Sequence, residues 1–435
     1  MKNNYLLVII LFISHLLTAQ QTYVPDDNFE QFLIDVGVDD VLDNYVLTEN
    51  ISAVKKININ NKEIRDLTGI EDFTALEILY CSSNQISNID VSKNESLIKL
   101  SCSSNQIRTL NVSANIALTE LYCDSNVNLE NLDVSTNQSL TILSCSYNMN
   151  LSSLDASSCY NLKKLYCHSN NNLSNLNVSG NSTLEELYCH SNNLTILDIS
   201  SCPALNVLHC YWNNIATLDL SNCKTLITLF CSSNNLTSLD LSFNSDLKIL
   251  DCSVNNLSSL NLIANSNLEK LACVSNNLSN LDIGSNTFLI ELYCNNNGLN
   301  SLNIKNGNNT NLNAFNATSN LNLECIEVDD GSYMDTNWSS GKDATASFSE
   351  NCENLGVVNL TENSFLIHPN PVNDVLNIEL NNGLELKQVN IYNIQGQYLF
   401  SSRTKKVNTK SLKSGVYFMD VETSKGKSAK KIVVE

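Results

Sequence analysis

Cysteine returns along most of this chain with a fixed step. It stands at Cys81, Cys102, Cys123, Cys145, Cys167, Cys189, Cys210, Cys231, Cys252, Cys273 and Cys294, every interval being 21 or 22 residues, and each of the eleven is followed three positions later by asparagine. A unit this short cannot bury its own apolar face, so successive units must stack as coils of a solenoid and share one core. Residues at one phase of neighbouring coils then lie about 4.8 Å apart, the spacing of paired strands, and each phase becomes a ladder along the molecule. This period also answers a local question. Cys-His-Ser-Asn occurs at Cys167–Asn170 and again at Cys189–Asn192, and thiolate with imidazole is a zinc-like ligand set. A metal site needs a few converging ligands, whereas here the cysteines continue through eleven coils.

The repeating unit reads L-x-x-L-x-C-x-x-N-x-L-x-x-L-D-L-S-x-N. It resembles the leucine-rich repeat, with cysteine in place of the strand's second buried leucine, over roughly residues 54–324. The resemblance implies a solenoid with a parallel β-sheet on its concave face and short strands and turns on its convex side. Cysteine in that phase is a small buried hydrophobe. The asparagine after it can be buried because its amide can bond the turn backbone of its own and the next coil. A second asparagine ladder, Asn94, Asn115, Asn137, Asn181, Asn244, Asn265 and Asn286, is interrupted by Cys159, Cys202 and Cys223. The resemblance implies that these three are turn fillers.

Residues 1–19 carry a lysine, an apolar run and small residues near the end, the pattern of a cleaved signal peptide, and no later run is long and apolar enough to span a membrane. Export would place sixteen cysteines in an oxidising compartment. The ladder cysteines lie side by side and all face inward, which predicts buried free thiols. Cys325 and Cys352 lie outside the ladders and form either one disulfide or two free thiols.

Residues 20–50 read as an N-terminal cap. Pro25 with Asp26 and Asp27 starts a helix, Phe29, Phe32, Leu33 and Val36 share a face, and Gly37 stops it. The entry into the repeats at 54–81 is similar to that of internalin-like proteins. The acidic run VDDVLDNY lacks the glycine and closing glutamate of an EF-hand, and is read as a solvated cap face. The solenoid then occupies 51–324, a C-terminal cap 325–352 and a linker 353–364.

Composition changes in the last stretch. From Ser364 on there are ten Lys and Arg against six Asp and Glu, which leaves fifteen against thirty-nine, a net −24, for the rest of the chain. Alternating apolar and polar residues between turn signals predict a small antiparallel β-sandwich over 365–435. Pro369-Asn370-Pro371, Gly415-Val416-Tyr417 and Lys430-Lys431-Ile432 resemble the C-terminal sorting domain of the type IX secretion system of Bacteroidota. That resemblance implies recognition by the type IX machinery, passage across the outer membrane, removal of the tail, and release or attachment at the cell surface.

Once phase is known, the outward residues follow. In L-x-C-x the leucine and cysteine point inward, so the residues flanking each cysteine lie on the outer face of the sheet. Most of these are small and polar, but Tyr166, His168, Tyr188, His190, His209, Tyr211 and Phe230, with Trp212 beside them, make one continuous aromatic patch. The cysteines face the core and cannot join the histidines in one site. No carboxylate stands at the adjacent outward positions, so the patch is read as neither a metal centre nor a catalytic site, and no cofactor is expected. The ladder Asp90, Asp133, Asp155, Asp198, Asp219, Asp240 and Asp282 is read as a solvated, mutually repelling edge. Strong negative charge disfavours nucleic acid as a partner. The expectation is a non-catalytic, secreted or surface-displayed binding protein whose sheet face meets an extracellular protein or glycan. A structural, self-associating surface-layer component fits the same repeats. Recognition surfaces are enriched in aromatic anchors, which favours the first. Flat rings on the face predict stacking with sugar or apolar groups, and imidazoles predict pH sensitivity near their ordinary value.

Overall fold

A computed structural model describes residues 20–352, 358–359, 365–380, 384–395, 397–423 and 426–435. The expected signal segment and almost all of the expected linker lie outside them. The chain divides into two units, residues up to 300 with 306–322 and 340–343, and residues 301–305, 323–339 and 344–435.

The first unit is a parallel β-solenoid. Thirteen strands run in chain order from Lys56–Asn58 to Ala314–Asn316, three residues each, paired in register. The central residue of each strand is buried: Leu165, Leu187, Leu208 and Leu229 are fully inaccessible. Strand N–H and C=O groups are shared between coils, as where Cys167 N donates to Tyr188 O at 2.9 Å and Cys189 N to His209 O at 2.9 Å. The eleven ladder cysteines and the three turn cysteines are all buried free thiols. Burial pushes the thiol pKa up, to about 12 for Cys102 and Cys210.

The asparagine ladders differ from each other. In the first, both ends of the amide are used: Asn192 Nδ2 donates to Cys189 O (2.8 Å) and Cys167 O (2.9 Å), and its Oδ1 accepts Asn170 N (2.8 Å). The partners are its own and the preceding coil, not the next one, because the side chain points back along the stack. In the second ladder only the donor works. Asn265 Nδ2 donates to Leu241 O and Asn244 O at 3.1 and 2.8 Å, while its buried Oδ1 has no hydrogen-bond partner, as in Asn94, Asn115, Asn137, Asn181, Asn244 and Asn286. Cys159, Cys202 and Cys223 substitute here because a thiol aims a weak donor the same way, Cys159 Sγ reaching Val134 O at 3.6 Å and Cys223 Sγ reaching Cys202 O at 3.7 Å.

The aspartate ladder is not a bare repelling edge. Each carboxylate closes a turn by accepting the N–H two residues on, for example Asp219 from Ser221 N and Asp240 from Ser242 N, both at 2.9 Å. Asn111, Asn177 and Asn261 do the same in coils without aspartate. These bonds hold the Asp219 and Asp240 carboxyls below their ordinary range, outweighing the opposing charge of a neighbouring aspartate.

The N-terminal helix spans Asp27–Asp35, with Asp26 accepting Asn28 N and Phe29 N as its cap. Phe29 and Leu33 are buried, but Val36 is 54% exposed and Glu30 is fully buried instead. The expected apolar face is therefore rotated. Glu30 takes the inner position because its Oε1 accepts Asp43 N and Tyr45 N, both at 3.0 Å, and so fastens the acidic loop. At the last coil, Asp343 accepts Ser319 N (2.9 Å) and Asn320 N (2.7 Å). It replaces the acceptors that a further coil would supply.

In the second unit the strands Ser301–Asn303, Cys325–Glu327 and Ser347–Ser349 pair as a parallel run. A disulfide joins Cys325 to Cys352, which decides the alternative that the sequence leaves open. The tail forms two sheets over one core containing Phe365, Leu376, Ile391, Met419 and Ile432. Its strands are antiparallel apart from Val358–Asn359, which pairs parallel with the final strand. The motif residues meet: Asn370 Nδ2 donates to Lys431 O (3.0 Å) and Asn370 Oδ1 accepts Val433 N (2.8 Å), tying Pro-Asn-Pro to the basic C-terminal strand.

Candidate functional site

Every coil presents the same outward positions on the sheet, and at four successive coils these carry aromatic rings. One row, just before the cysteines, runs Tyr166, Tyr188, His209, Phe230, with ring centroids 5.0, 4.5 and 4.5 Å apart. The other, just after them, runs His168, His190, Tyr211. Here the rings lie nearly parallel, 4.4 Å apart at 7° and 4.3 Å apart at 13°. The rows touch, His190 lying 6.3 Å from His209. All eight predicted residues are thus brought together on one surface.

How the rings stand differs from the expectation of flat faces. His190 is sandwiched between His168 and Tyr211, so both of its faces are covered. Its Nδ1 is buried without a hydrogen-bond partner. The rings at the two ends of this row stand across it. Tyr147 meets His168 at 84° and Trp212 meets Tyr211 at 74°, and they are 47% and 63% exposed. Both occupy the second position after a cysteine, where the backbone is left-handed in every coil; φ is 59° at Tyr147 and 54° at Trp212. That turn aims the residue's N–H at the next coil, Trp212 N reaching Ser232 O at 3.0 Å. The conformation costs a residue with a Cβ about 1–2 kcal/mol. Serine fills it at Ser169, Ser191 and Ser233, and the bulky rings stand at the two ends of the histidine row.

Tyr147 was not among the sequence-predicted residues, although it has the phase of Trp212. A carboxylate was missed as well. Each strand has a third outward position two residues before the first aromatic row, and Glu186 occupies it. Its Oε2 accepts the Tyr166 hydroxyl at 3.0 Å and its Oε1 pairs with Lys164 at 2.8 Å. Asp124, at the phase of His168 two coils earlier, accepts Ser144 Oγ (2.6 Å) and Ser146 N (2.9 Å). The expectation that no acid stands near the patch is therefore corrected, and the E-L-Y and K-L-Y triplets carried the signal. Both acids are engaged in bonds to other groups.

Burial lowers all three histidine pKa values. For His190 the drop is to about 4, with the neighbouring His168 and His209 adding to it. For His168 and His209 the charges of Asp124 and Glu186 oppose the effect of burial without cancelling it. The face is thus a neutral imidazole stack at neutral pH, and the expected transition near the ordinary histidine value is displaced to more acid conditions.

Residues 366–435 match the family described as the secretion system C-terminal sorting domain. No curated protein matches the chain. Among solved structures, the chain is similar to the functional domain of InlJ from Listeria monocytogenes, which includes a cysteine ladder, at 26% identity and a TM-score of 0.62, over 96% of this chain and 99% of that one. It also resembles the internalin InlF of Listeria monocytogenes (23% identity, TM-score 0.59, 70% and 95% covered) and a leucine-rich-repeat protein of Leptospira interrogans (20%, 0.56, 69% and 85%).

Proposed function

We infer function from a leucine-rich-repeat solenoid similar to internalins, followed by a secretion-system sorting domain. We propose that the protein is a non-catalytic binding module, displayed on or released from the cell surface, that engages an extracellular protein or glycan through Tyr166, His168, Tyr188, His190, His209, Tyr211, Trp212 and Phe230. One observation carries this reading: the continuous aromatic stack runs over four successive coils, whereas the equivalent positions elsewhere hold residues such as Ser101, Ser103, Asp251 and Ala272 with only isolated rings at Tyr80, Tyr122 and Tyr293. A spacer gains nothing from such a cluster, whereas binding hot spots concentrate aromatic side chains. A binding role also fits the acids, since both oxygens of Glu186 are occupied by Lys164 and Tyr166. The sorting domain supports export, and among the described residues no helix is long and apolar enough to cross a membrane.

The test is a binding panel of extracellular matrix proteins and glycans probed with the full chain. Two double variants are compared: Tyr188→Ala with Tyr211→Ala in the patch, and Tyr80→Ala with Tyr293→Ala at the phase of Tyr188 near the ends. Hot-spot residues should cost about 2 kcal/mol or more each. The patch variant should lose binding and the terminal variant keep it; equal binding by both would remove the site from this surface.

A further inference from the structure

Resting on the reading of the sheet face as the binding surface, we infer that its ligand is a neutral oligosaccharide lying along the solenoid axis over the edges of His168, His190 and Tyr211, its sugar faces packed against Tyr147 at one end and Trp212 at the other. The geometry restricts the ligand in three ways. First, the strand N–H and C=O groups here are already shared between coils, as from Cys167 N to Tyr188 O at 2.9 Å. An extended peptide therefore finds no backbone ladder to join, and recognition falls to side-chain edges. Second, those edges belong to uncharged groups that each donate and accept: a neutral imidazole offers one N–H and one lone pair, and a phenol does both. Such edges match sugar hydroxyls, which also donate and accept. Third, the chain carries a net charge of −20, which repels an anionic ligand, and Glu186, the carboxylate bonded to the patch tyrosine, is already paired with Lys164 at 2.8 Å.

The two ends add shape. Tyr147 and Trp212 stand three coils apart, about 14 Å at strand spacing, too far for a monosaccharide to touch both. They are 47% and 63% exposed and stand at 84° and 74° to the rings they adjoin, which leaves more of each ring open to the apolar side of a sugar than in the sandwiched His190. Both hold a left-handed backbone position that serine fills in most other coils and that Val254 and Asn296 fill in two.

The test uses the full chain on an immobilised panel of neutral, sialylated and sulfated glycans of graded length, with Tyr147→Ser and Trp212→Ser as variants. Serine is the residue that most other coils carry at this phase, so these variants are expected to fold; thermal unfolding at the wild-type temperature or above checks it. Neutral oligosaccharides should be retained, monosaccharides not, and each variant should weaken retention about tenfold or more. Retention of charged glycans only, retention of no glycan, or neutral-glycan binding untouched by both variants would overturn the inference. If the patch double variant loses a matrix protein while no glycan is retained, the binding surface stands and the ligand class falls.

Discussion

A buried asparagine that uses only its amide donor sets different rules from one that uses both ends, and the two ladders of this solenoid separate the cases. Asn265 gives hydrogens to two carbonyls, of which a thiol can serve one, and nothing needs to be given back. Asn265→Cys should therefore cost less than about 1 kcal/mol, the net worth of one ordinary hydrogen bond. Asn265→Asp removes the donor and buries a charge beside carbonyls, which should cost about 3 kcal/mol or more. At Asn255 the carbonyl oxygen accepts Leu236 N at 3.0 Å, so Asn255→Cys orphans a buried N–H and should cost about 1–3 kcal/mol. Urea unfolding midpoints of the three variants check this order. The thiols give a second count. Buried, with pKa values pushed up, the fourteen free cysteines should resist a bulky thiol reagent in the native protein, and unfolding without reductant should expose fourteen of the sixteen. Reduction should release Cys325 and Cys352 as well. Prompt labelling of most ladder cysteines in the folded protein would contradict their inward phase.

Strand and turn respond to acid in different windows. The folded state holds His190 near 4 against an ordinary value of 6.5, so the unfolded chain binds more protons between these values. Stability should decline as pH falls through about 6.5 and stop declining from this source below about 4. The turn aspartates act lower. Hydrogen bonds hold Asp219 and Asp240 below their ordinary 3.8, so their contribution is present above that value and is lost as pH falls through the folded one. Thermal unfolding followed from pH 8 to 3 should show a gradual loss that a triple His168→Gln, His190→Gln, His209→Gln variant lacks above pH 5. The elements show how much the sequence could tell. Coil, strand phase and membership of the aromatic patch all follow from a strict period, because every residue of one phase meets the same surroundings. Ring orientation does not: whether His190 presents a face or an edge depends on side-chain torsions set by its neighbours in adjacent coils. The buried Glu30 and the closing Asp343 also escaped, since each is used once, at an end where the period gives no second copy to compare.

For the molecule as a whole, the aromatic patch belongs to the first unit, while residues 366–435 of the second match a secretion-system sorting domain. We propose that the tail is removed on export. Protein recovered from the medium or cell surface should then lack the residues from about Phe365 on, as read by intact mass, and recovery of Glu435 on that protein would make the tail a resident domain. The central claim, that the neutral ring stack is where a ligand sits, is open to a direct footprint, because the chain has only five histidines. Three are in the patch, and His368, exposed in the tail and paired with Glu379 at 2.8 Å, serves as an internal control. The measurement is the rate of imidazole modification by diethyl pyrocarbonate at each histidine, by mass spectrometry, with and without a saturating amount of the panel member that binds most tightly. The account predicts that His168, His190 and His209 become several-fold slower to modify while His368 is unchanged. Unchanged rates at all three patch histidines, with the ligand bound, would place the binding surface elsewhere on the protein.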